Sequence, residues 1–480
     1  MTAQLVPYPH QLEGARRLAE NDAYALLMSM GTGKTYTCLL DIQYKVERGE
    51  VDSIVYVAPS GCYRNFAGEI EKWLPEDLRK RLNIFTWVSS KSTVKKELKA
   101  FLADTRKVRV LLMNVEALSR VEAAKDGIVE LLKSGRSMFI IDESQCIKAP
   151  TSLRTKFILK IAEYAKYRRI MTGLVAPENP LNAFSQFYFL DPKILGHRSF
   201  FSFRSRYAVT KKVDFKREGG RPVEIVVGYR HVEELQKKIL SSAYRVCTED
   251  VLDLPEKVYM PIRDVPLTME QIKAYGEMKK WAMTSIGESY VTAQIAAAVL
   301  TKLHSILCGH VVDENGELHD IPTHRVDAVK EVLEDHSGKA IIWSPYPRLL
   351  SKIATALEEE YGKESTVRYW GETKSDDRVI AVDRFQNDPK CRYFVSNPSV
   401  GGEGITLTQA SLVVYAANSW KASDRQQSEA RAHRAGQTKS VAYVDLAARD
   451  TMEHKLIKAL RSKFDLAALV TGDKLKDWII

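Results

Sequence analysis

Two blocks of the chain share one rhythm. Short, uniformly apolar runs are separated by longer stretches in which apolar residues recur every three or four positions. The first block carries such runs at Tyr24–Met28, Ser53–Ala58, Ile84–Val88, Val108–Asn114, Ser137–Asp142 and Arg168–Gly173. The second carries them at Ala340–Ser344, Val367–Trp370, Tyr393–Asn397, Leu412–Ala417 and Val441–Leu446. A run without polar alternation predicts a strand buried on both faces, as in a parallel sheet. The helical stretches between them, such as Val326–Leu333, Arg348–Tyr361 and Asp376–Phe385, predict the crossovers that parallel strands require. The fold class is therefore α/β, with two parallel-sheet domains in tandem. Between the blocks the pattern changes. Ala208–Phe215 and Pro222–Tyr229 are β-like and flank a Gly-Gly turn, which predicts a hairpin. Helical patterns follow at Val232–Ala243 and Met269–Cys308. The resulting division is a first domain at 1–195, a linker and insertion at 196–255, and a second domain at 256–480 whose first part, to about 320, is helical.

Composition narrows the partners. The 480 residues carry a formal charge of +10, which favours an anionic polymer over an acidic protein. Much of the excess lies in the insertion, where Arg198, Arg204, Arg206, Lys211, Lys212, Lys216, Arg217 and Arg221 alternate with Phe200, Phe201, Phe203, Tyr207 and Phe215. That mixture suits a ribbon that touches or splits nucleic acid, and equally a solvated ribbon with its aromatics packed inward. The six cysteines are widely spaced and include no C-x-x-C pair, so they read as reduced thiols. No apolar stretch is long enough to span a bilayer and the N-terminus lacks a signal-peptide pattern, so a cytoplasmic location without membrane contact is expected. Cys308, His310, His319 and His324 are considered as metal ligands, but irregular spacing and an intervening turn argue against them.

The sharpest chemistry follows the first apolar run. Met28-Ser-Met-Gly31-Thr32-Gly33-Lys34-Thr35 links a predicted strand to a predicted helix. Glycines there let consecutive N–H groups point at one anion, and the helix offers the same anion its positive end. Lys34 would supply a mobile charge to the β- and γ-phosphates, and Thr35 a hydroxyl to Mg2+. Met28 stands where the usual loop pattern has its first glycine. A second strand ends in Asp142-Glu143-Ser144-Gln145. Asp142 could hold Mg2+ through water and Glu143 could orient or deprotonate the attacking water, the two tasks that nucleotide hydrolysis requires. In the second block, Arg431 and Arg434 lie three positions apart in Gln427-Ser-Glu-Ala-Arg-Ala-His-Arg-Ala-Gly-Gln437. Read as one helix, both face the same way, and planar, permanently charged guanidinium groups suit a phosphoryl group in transition.

With these pieces in order, the chain resembles superfamily 2 helicases, and within them the Swi/Snf-type ATPases. Gln11 matches the glutamine that reads adenine, Met28–Thr35 matches motif I, and Val57–Ser60 with Asn65 and Glu69–Trp73 matches motif Ia. Asp142–Gln145 resembles motif II, Met171-Thr172-Gly173 motif III, Ile341–Ser344 motif IV, Ser396–Leu407 motif V and Gln427–Gln437 motif VI. Departures are Gln145 where many relatives have His, Leu174-Val175 where Thr-Pro is usual, and Thr406 for Asn. They bear on coupling rather than on hydrolysis.

The resemblance implies two RecA-like domains with ATP between them. Lys34, Asp142, Glu143, Arg431 and Arg434 would be catalytic, and Gln11, Gly31, Thr32, Gly33, Lys34, Thr35, Gly404 and Gln427 would bind ATP. Thr35 and Asp142 would hold Mg2+, while Gln145, Thr172 and Gly173 would couple hydrolysis to movement. It also implies a DNA track gripped with little sequence preference, through Ser60, Asn114, Thr172, Trp343, Gly371, Ser396, Gly401 and Trp420, with Lys216 and Arg217 of the hairpin. The compact chain is most similar to the small bacteriophage-encoded helicases that migrate branches in replication and recombination, which would place it in a bacterial host cytoplasm. A monomer is expected, with recombination or single-strand-binding proteins as partners. Three readings stay open: a helicase acting on forked and Holliday-type DNA, a duplex translocase that strips bound proteins without separating strands, and a nucleotide-switched binding module.

Overall fold

The computed structural model describes residues 6–471 except 61, 90, 214–222, 289–292, 314, 372, 374 and 400–404. The chain forms two compact units, the first holding residues up to Lys211 and again Glu224–Asp253, the second Leu254–Ser462.

The first unit is built on β1 (Ala23–Met28), β2 (Ser53–Ala58), β3 (Leu82–Thr86), β4 (Val108–Asn114), β5 (Ser137–Asp142) and β6 (Tyr167–Thr172). β7 (Ala208–Val213) and β8 (Val223–Tyr229) pair as a separate ribbon, and β9 (Ala243–Val246) joins the main sheet. That sheet runs β3-β4-β2-β5-β6-β1-β9, with every pairing parallel. Successive residues of a strand serve opposite faces. Leu27, Val57, Met113, Phe139 and Ile141 enter one apolar core, and Leu26, Tyr56, Leu112, Met138 and Ile140 enter the other. Both faces are covered, which is why the strands read as unbroken apolar runs. β9 is too short to announce itself by pattern. It lies just past the helix Val232–Leu240, in a stretch whose first residue had been included in the helical pattern.

The second unit repeats the plan. β10 (Lys257–Tyr259), β14 (Lys339–Trp343), β15 (Thr366–Tyr369), β16 (Tyr393–Ser396), β17 (Ala410–Tyr415) and β18 (Val441–Ala448) form a sheet in the order β10-β18-β17-β14-β16-β15, again parallel. β11 (Arg263–Val265) also pairs with β18, while β12 (His310–Val312) and β13 (Leu318–Asp320) form a small antiparallel pair. The helical stretch expected at Met269–Cys308 comprises two helices, Met269–Glu288 and Ala293–Leu307. The second of them is tied to the sheet by a buried knot. Glu453 accepts hydrogen bonds from Arg325 Nη2 at 2.6 Å, from Ala448 N at 2.8 Å and from His304 Nε2 at 3.1 Å. Burial raises the carboxyl's pKa, but Arg325 and His304 outweigh it and hold Glu453 down at about 2. Cys308 borders this knot, whereas His319 pairs with Asp313, so the residues weighed as metal ligands fall into separate groups.

Candidate active site

The loop after β1 has the shape its sequence requires. Gly31 and Gly33 have φ of 82° and 87°, and helix α2 (Lys34–Glu47) begins immediately after them. At Gly33 the φ of 87° strains any residue with a side chain, and a Cβ would also displace the Gln11 amide, whose Nε2 lies 2.1 Å from that position. The close neighbour is deliberate. Helix α1 (Pro9–Glu20) buries His10 and Gln11 against the loop, and their Nε2 atoms lie 2.9 and 3.2 Å from the Thr32 carbonyl. Gln11 Oε1 accepts from Tyr8 N at 3.0 Å, which fixes the amide's orientation. Lys34 Nζ lies across the loop and donates to Met28 O at 2.9 Å and Ser29 O at 3.4 Å. A Cβ on Gly173 would meet Met28 O at 3.4 Å and Lys34 Nζ at 3.8 Å, so the end of β6 abuts the same loop.

Register brings the remaining groups level. Leu27 of β1 pairs with Thr172 of β6, and Met171 of β6 pairs with Asp142 of β5. Three adjacent strands therefore present their carboxyl ends together, the place where parallel sheets bind ligands. Asp142 Oδ2 accepts from Tyr56 OH at 2.5 Å and its Oδ1 accepts from Glu143 N at 2.9 Å. Burial and the neighbouring Glu143 charge push its carboxyl up to about 6, against the opposing pull of the Tyr56 hydrogen bond and the Lys34 charge. Glu143 itself sits at φ 46°, a left-handed conformation that costs a non-glycine residue about 1–2 kcal/mol. Strain of that kind is held in place by surrounding contacts. Gln145 Nε2 donates to Glu143 Oε2 at 2.7 Å, Thr172 Oγ1 donates to Gln145 Oε1 at 2.7 Å, and Leu174 N donates to Thr172 Oγ1 at 3.0 Å. A second link runs in parallel. Ser144 Oγ donates to Gln186 Oε1 at 2.6 Å, and Gln186 Nε2 donates to Val175 O at 2.6 Å. The acidic turn and the segment 172–175 are thus joined twice.

In the second unit the helix Ala422–Ala432 ends before Arg434. The expectation that both arginines lie on one helix is corrected: Arg431 occupies the last turn, and the backbone leaves the helix at His433 (φ −106°, ψ 87°). Two contacts pin this exit to one neighbouring segment, since Leu407 N donates to Arg431 O at 2.9 Å and Arg434 Nη1 donates to Ile405 O at 3.2 Å. The helix is anchored by buried Arg425, which donates to Glu429 at 2.7 Å, pairs with Asp445, and lies 3.5 Å over the Tyr415 ring. Tyr259 OH donates to the other oxygen of Glu429 at 2.7 Å. Gln427 is half-buried on the same helix, and Gly404 lies outside the described residues.

The expected track residues fare unevenly. Ser60 is exposed, Asn114 is half-buried at the end of β4, and Gly371 is exposed with open space around its Cα. Three side chains are corrected. Trp343 is 0% exposed, because its place on β14 points it into the core with Phe394 and Tyr415. Ser396 is also buried and donates to Tyr369 O at 2.5 Å. Thr172 is buried with its hydroxyl committed to the link just described. Trp420 is half-buried against Leu303, Leu307 and Met452. Gly401, Lys216 and Arg217 lie outside the described residues. Sequence reading missed Tyr56, His10 and Gln186. Tyr56 and Gln186 are polar groups inside apolar runs, which implies a buried partner without naming it, whereas His10 lies in a polar stretch that gives no such signal.

A model of the SNF2-related domain matches residues 10–308, and one of the helicase conserved C-terminal domain matches residues 324–436. The chain belongs to the SNF2-related family. It is a superfamily 2 helicase-type enzyme, and such enzymes hydrolyse ATP with a divalent metal. Among curated relatives, the DNA annealing helicase and endonuclease ZRANB3 of Homo sapiens is 27% identical over 485 residues, covering 99% of this chain and 41% of that protein. The SWI/SNF-related matrix-associated actin-dependent regulator of chromatin subfamily A-like protein 1 homolog of Caenorhabditis elegans is 26% identical over 473 residues, covering 97% of this chain and 62% of that protein. The chain therefore spans about two fifths of the length of the first relative. Among solved structures, the SWI2/SNF2 ATPase core of Sulfolobus solfataricus in complex with dsDNA is 22% identical, covers 99% of each chain and has a TM-score of 0.43. Among the described residues, no helix is long and apolar enough to cross a membrane.

Proposed function

We propose that this SNF2-family enzyme couples ATP hydrolysis to movement on DNA, and that its substrates are forked or four-way junctions. The observation that carries the ATPase assignment is the level alignment of the ends of β1, β5 and β6, with Lys34 Nζ folded back onto Met28 O beside Asp142 and Thr172 on the neighbouring strands, and Glu143 tied to Thr172 through Gln145. On this reading Gly31, Thr32 and Gly33 cradle the phosphates, Lys34 balances their charge, and Glu143 orients or deprotonates the attacking water. Gln11 reads the base, and Arg431 and Arg434 steady the charge that develops on the γ-phosphate. Mg2+ suits the donors. The Thr35 hydroxyl and Asp142 carboxylate are hard oxygen ligands, and two adjacent carboxylates whose charges oppose one another favour a cation beside them. When bound, the ion would neutralise charge between the β- and γ-phosphates.

The choice of DNA rests on the net charge of +10 and on the printed functions of relatives, which include DNA annealing. A second reading is a translocase that acts on duplex without separating strands; another relative, the TATA-binding protein-associated factor MOT1 of Saccharomyces cerevisiae, 25% identical over 407 residues, is named for association with a protein and not for strand annealing. The deciding experiment compares ATP-driven strand separation on a linear partial duplex, a fork and a four-way junction, with Lys34→Ala as control. Separation or branch migration of the junctions supports the first reading. DNA-stimulated hydrolysis with every strand left paired selects the second, and hydrolysis indifferent to DNA removes both.

A further inference from the structure

Ser60 follows β2 and Asn114 ends the adjacent parallel strand β4, with Ala58 of β2 paired to Asn114. Their side chains converge on a single atom. Ser60 Oγ donates to Glu116 Oε2 at 2.9 Å, and Asn114 Nδ2 donates to the same oxygen at 3.3 Å. Two neutral donors meeting on one anionic oxygen, at the carboxyl edge of a parallel sheet, form an anion site that an internal carboxylate already fills. A phosphodiester offers these donors the same thing, a charged oxygen acceptor. The backbone beneath is fixed, since Val115 N donates to Ala58 O at 2.9 Å, whereas the Glu116 side chain is exposed and free to rotate away.

We propose that Glu116 is a built-in competitor for a backbone phosphate of DNA, so that Ser60 and Asn114 engage the track only when a phosphate displaces this carboxylate. The inference rests on the reading of the protein as a DNA motor. It gives the motor something useful. A phosphate contact that must be released at every step is better made weak and quickly exchanged, and an internal carboxylate waiting for the same donors shortens its lifetime.

The test measures duplex affinity by fluorescence anisotropy at fixed salt for the full chain, Glu116→Gln and Glu163→Gln. Glu163 is an exposed acid in the short helix Ala162–Tyr164 that precedes β6, at the opposite end of the same sheet, so it controls for net charge. One exposed charge at hydrogen-bond distance from a phosphate, in water at physiological salt, changes affinity by about three- to fivefold. Glu116→Gln is expected to bind that much more tightly, with Glu163→Gln unchanged. Ser60→Ala is then expected to weaken binding more in the Glu116→Gln background than in the parent, because in the parent Ser60 must first release Glu116. Equal or weaker binding by Glu116→Gln, or equal tightening by Glu163→Gln, overturns the proposal. A parent chain that neither binds duplex nor shows DNA-stimulated hydrolysis would instead refute the DNA-motor reading itself.

Discussion

The site is only as well placed as the two helices that carry it, and one buried ion pair joins them to the sheet. Arg169 on β6 and Asp41 on α2 are 1% and 0% exposed at the side chain and meet at 2.8 Å. The same guanidinium donates to Leu18 O of α1 at 2.7 Å and to Asp22 O at 2.8 Å. It thus clamps the helix bearing Gln11 and the helix bearing Lys34 to the strand bearing Thr172. Arg169→Met keeps most of the volume but leaves Asp41 charged, buried and unpaired. Removing one partner of a buried pair costs about 3–5 kcal/mol. The double variant Arg169→Met/Asp41→Leu removes the orphaned charge as well. Its residual deficit is the two lost hydrogen bonds to Leu18 O and Asp22 O, about 0.5–1.5 kcal/mol each, since both carbonyls keep a backbone donor, Asn21 N at 3.3 Å and Arg168 N at 2.8 Å. In a unit of this size each kcal/mol shifts the melting temperature by about 2–4 °C. Calorimetry should therefore show the first unit melting about 6–20 °C lower in the single variant, with at least a third of the loss recovered in the double. A single variant that melts within 2 °C of the parent, or a double less stable than the single, would refute the claim that this pair sets the frame.

Three further outcomes follow from the geometry. Glu143→Gln should bind ATP and stall, because the amide can still accept from Gln145 but cannot take a proton from water; single-turnover hydrolysis at the parental rate would exclude it as the base. Arg434→Ala should retain ATP binding and lose about 10³-fold or more in turnover if it acts as a finger; steady-state kinetics beside nucleotide binding separate turnover from binding, and turnover at the parental rate would exclude the role. Asp142 gives a pH signature in the nucleotide-free protein: its folded pKa of about 6 lies above the unfolded value near 4, so the stability tied to its proton is present below pH 4 and lost as pH rises through 6. Asp142→Asn should therefore gain on the parent in melting temperature between pH 4 and pH 6 and hold that lead above, whereas a constant difference across this range would contradict the raised pKa.

The strands of both sheets were legible because burial on two faces leaves short apolar runs, set apart by the helical patterns between them. Most fall within two residues of the expected runs, β1 at Ala23–Met28 and β5 at Ser137–Asp142 among them. β10, β11 and β9 were not legible, since three or four residues carry no period and their partners lie far away in sequence. The residues proposed to hold the nucleotide stand out in the sequence for a different reason. Phosphate chemistry demands particular groups, a glycine that can reach φ 87°, a lysine, two acids, and tolerates few substitutes. DNA contact demands little beyond a donor at the right height. Trp343 and Ser396 met the pattern and failed the geometry, because the second sheet is covered on both faces and buries the side chains of β14 and β16 whichever way they point.

Gln145 shows how much a single atom count decides. It occupies the position where many relatives carry histidine, and it both donates to Glu143 and accepts from Thr172, at 2.7 Å each. A neutral histidine can do the same in one tautomer only, and a protonated one cannot accept at all. The amide holds its donor and acceptor at every pH, so the link between the acidic turn and the end of β6 does not switch off as the medium acidifies. Gln145→His should leave coupling intact at pH 8 and weaken it toward pH 6, read as the ratio of DNA-stimulated to basal hydrolysis with the parent at each pH as reference. If that ratio keeps the parent's profile, the hydrogen bonds through residue 145 do not carry the coupling, and the parallel route through Ser144 and Gln186 becomes the one to break.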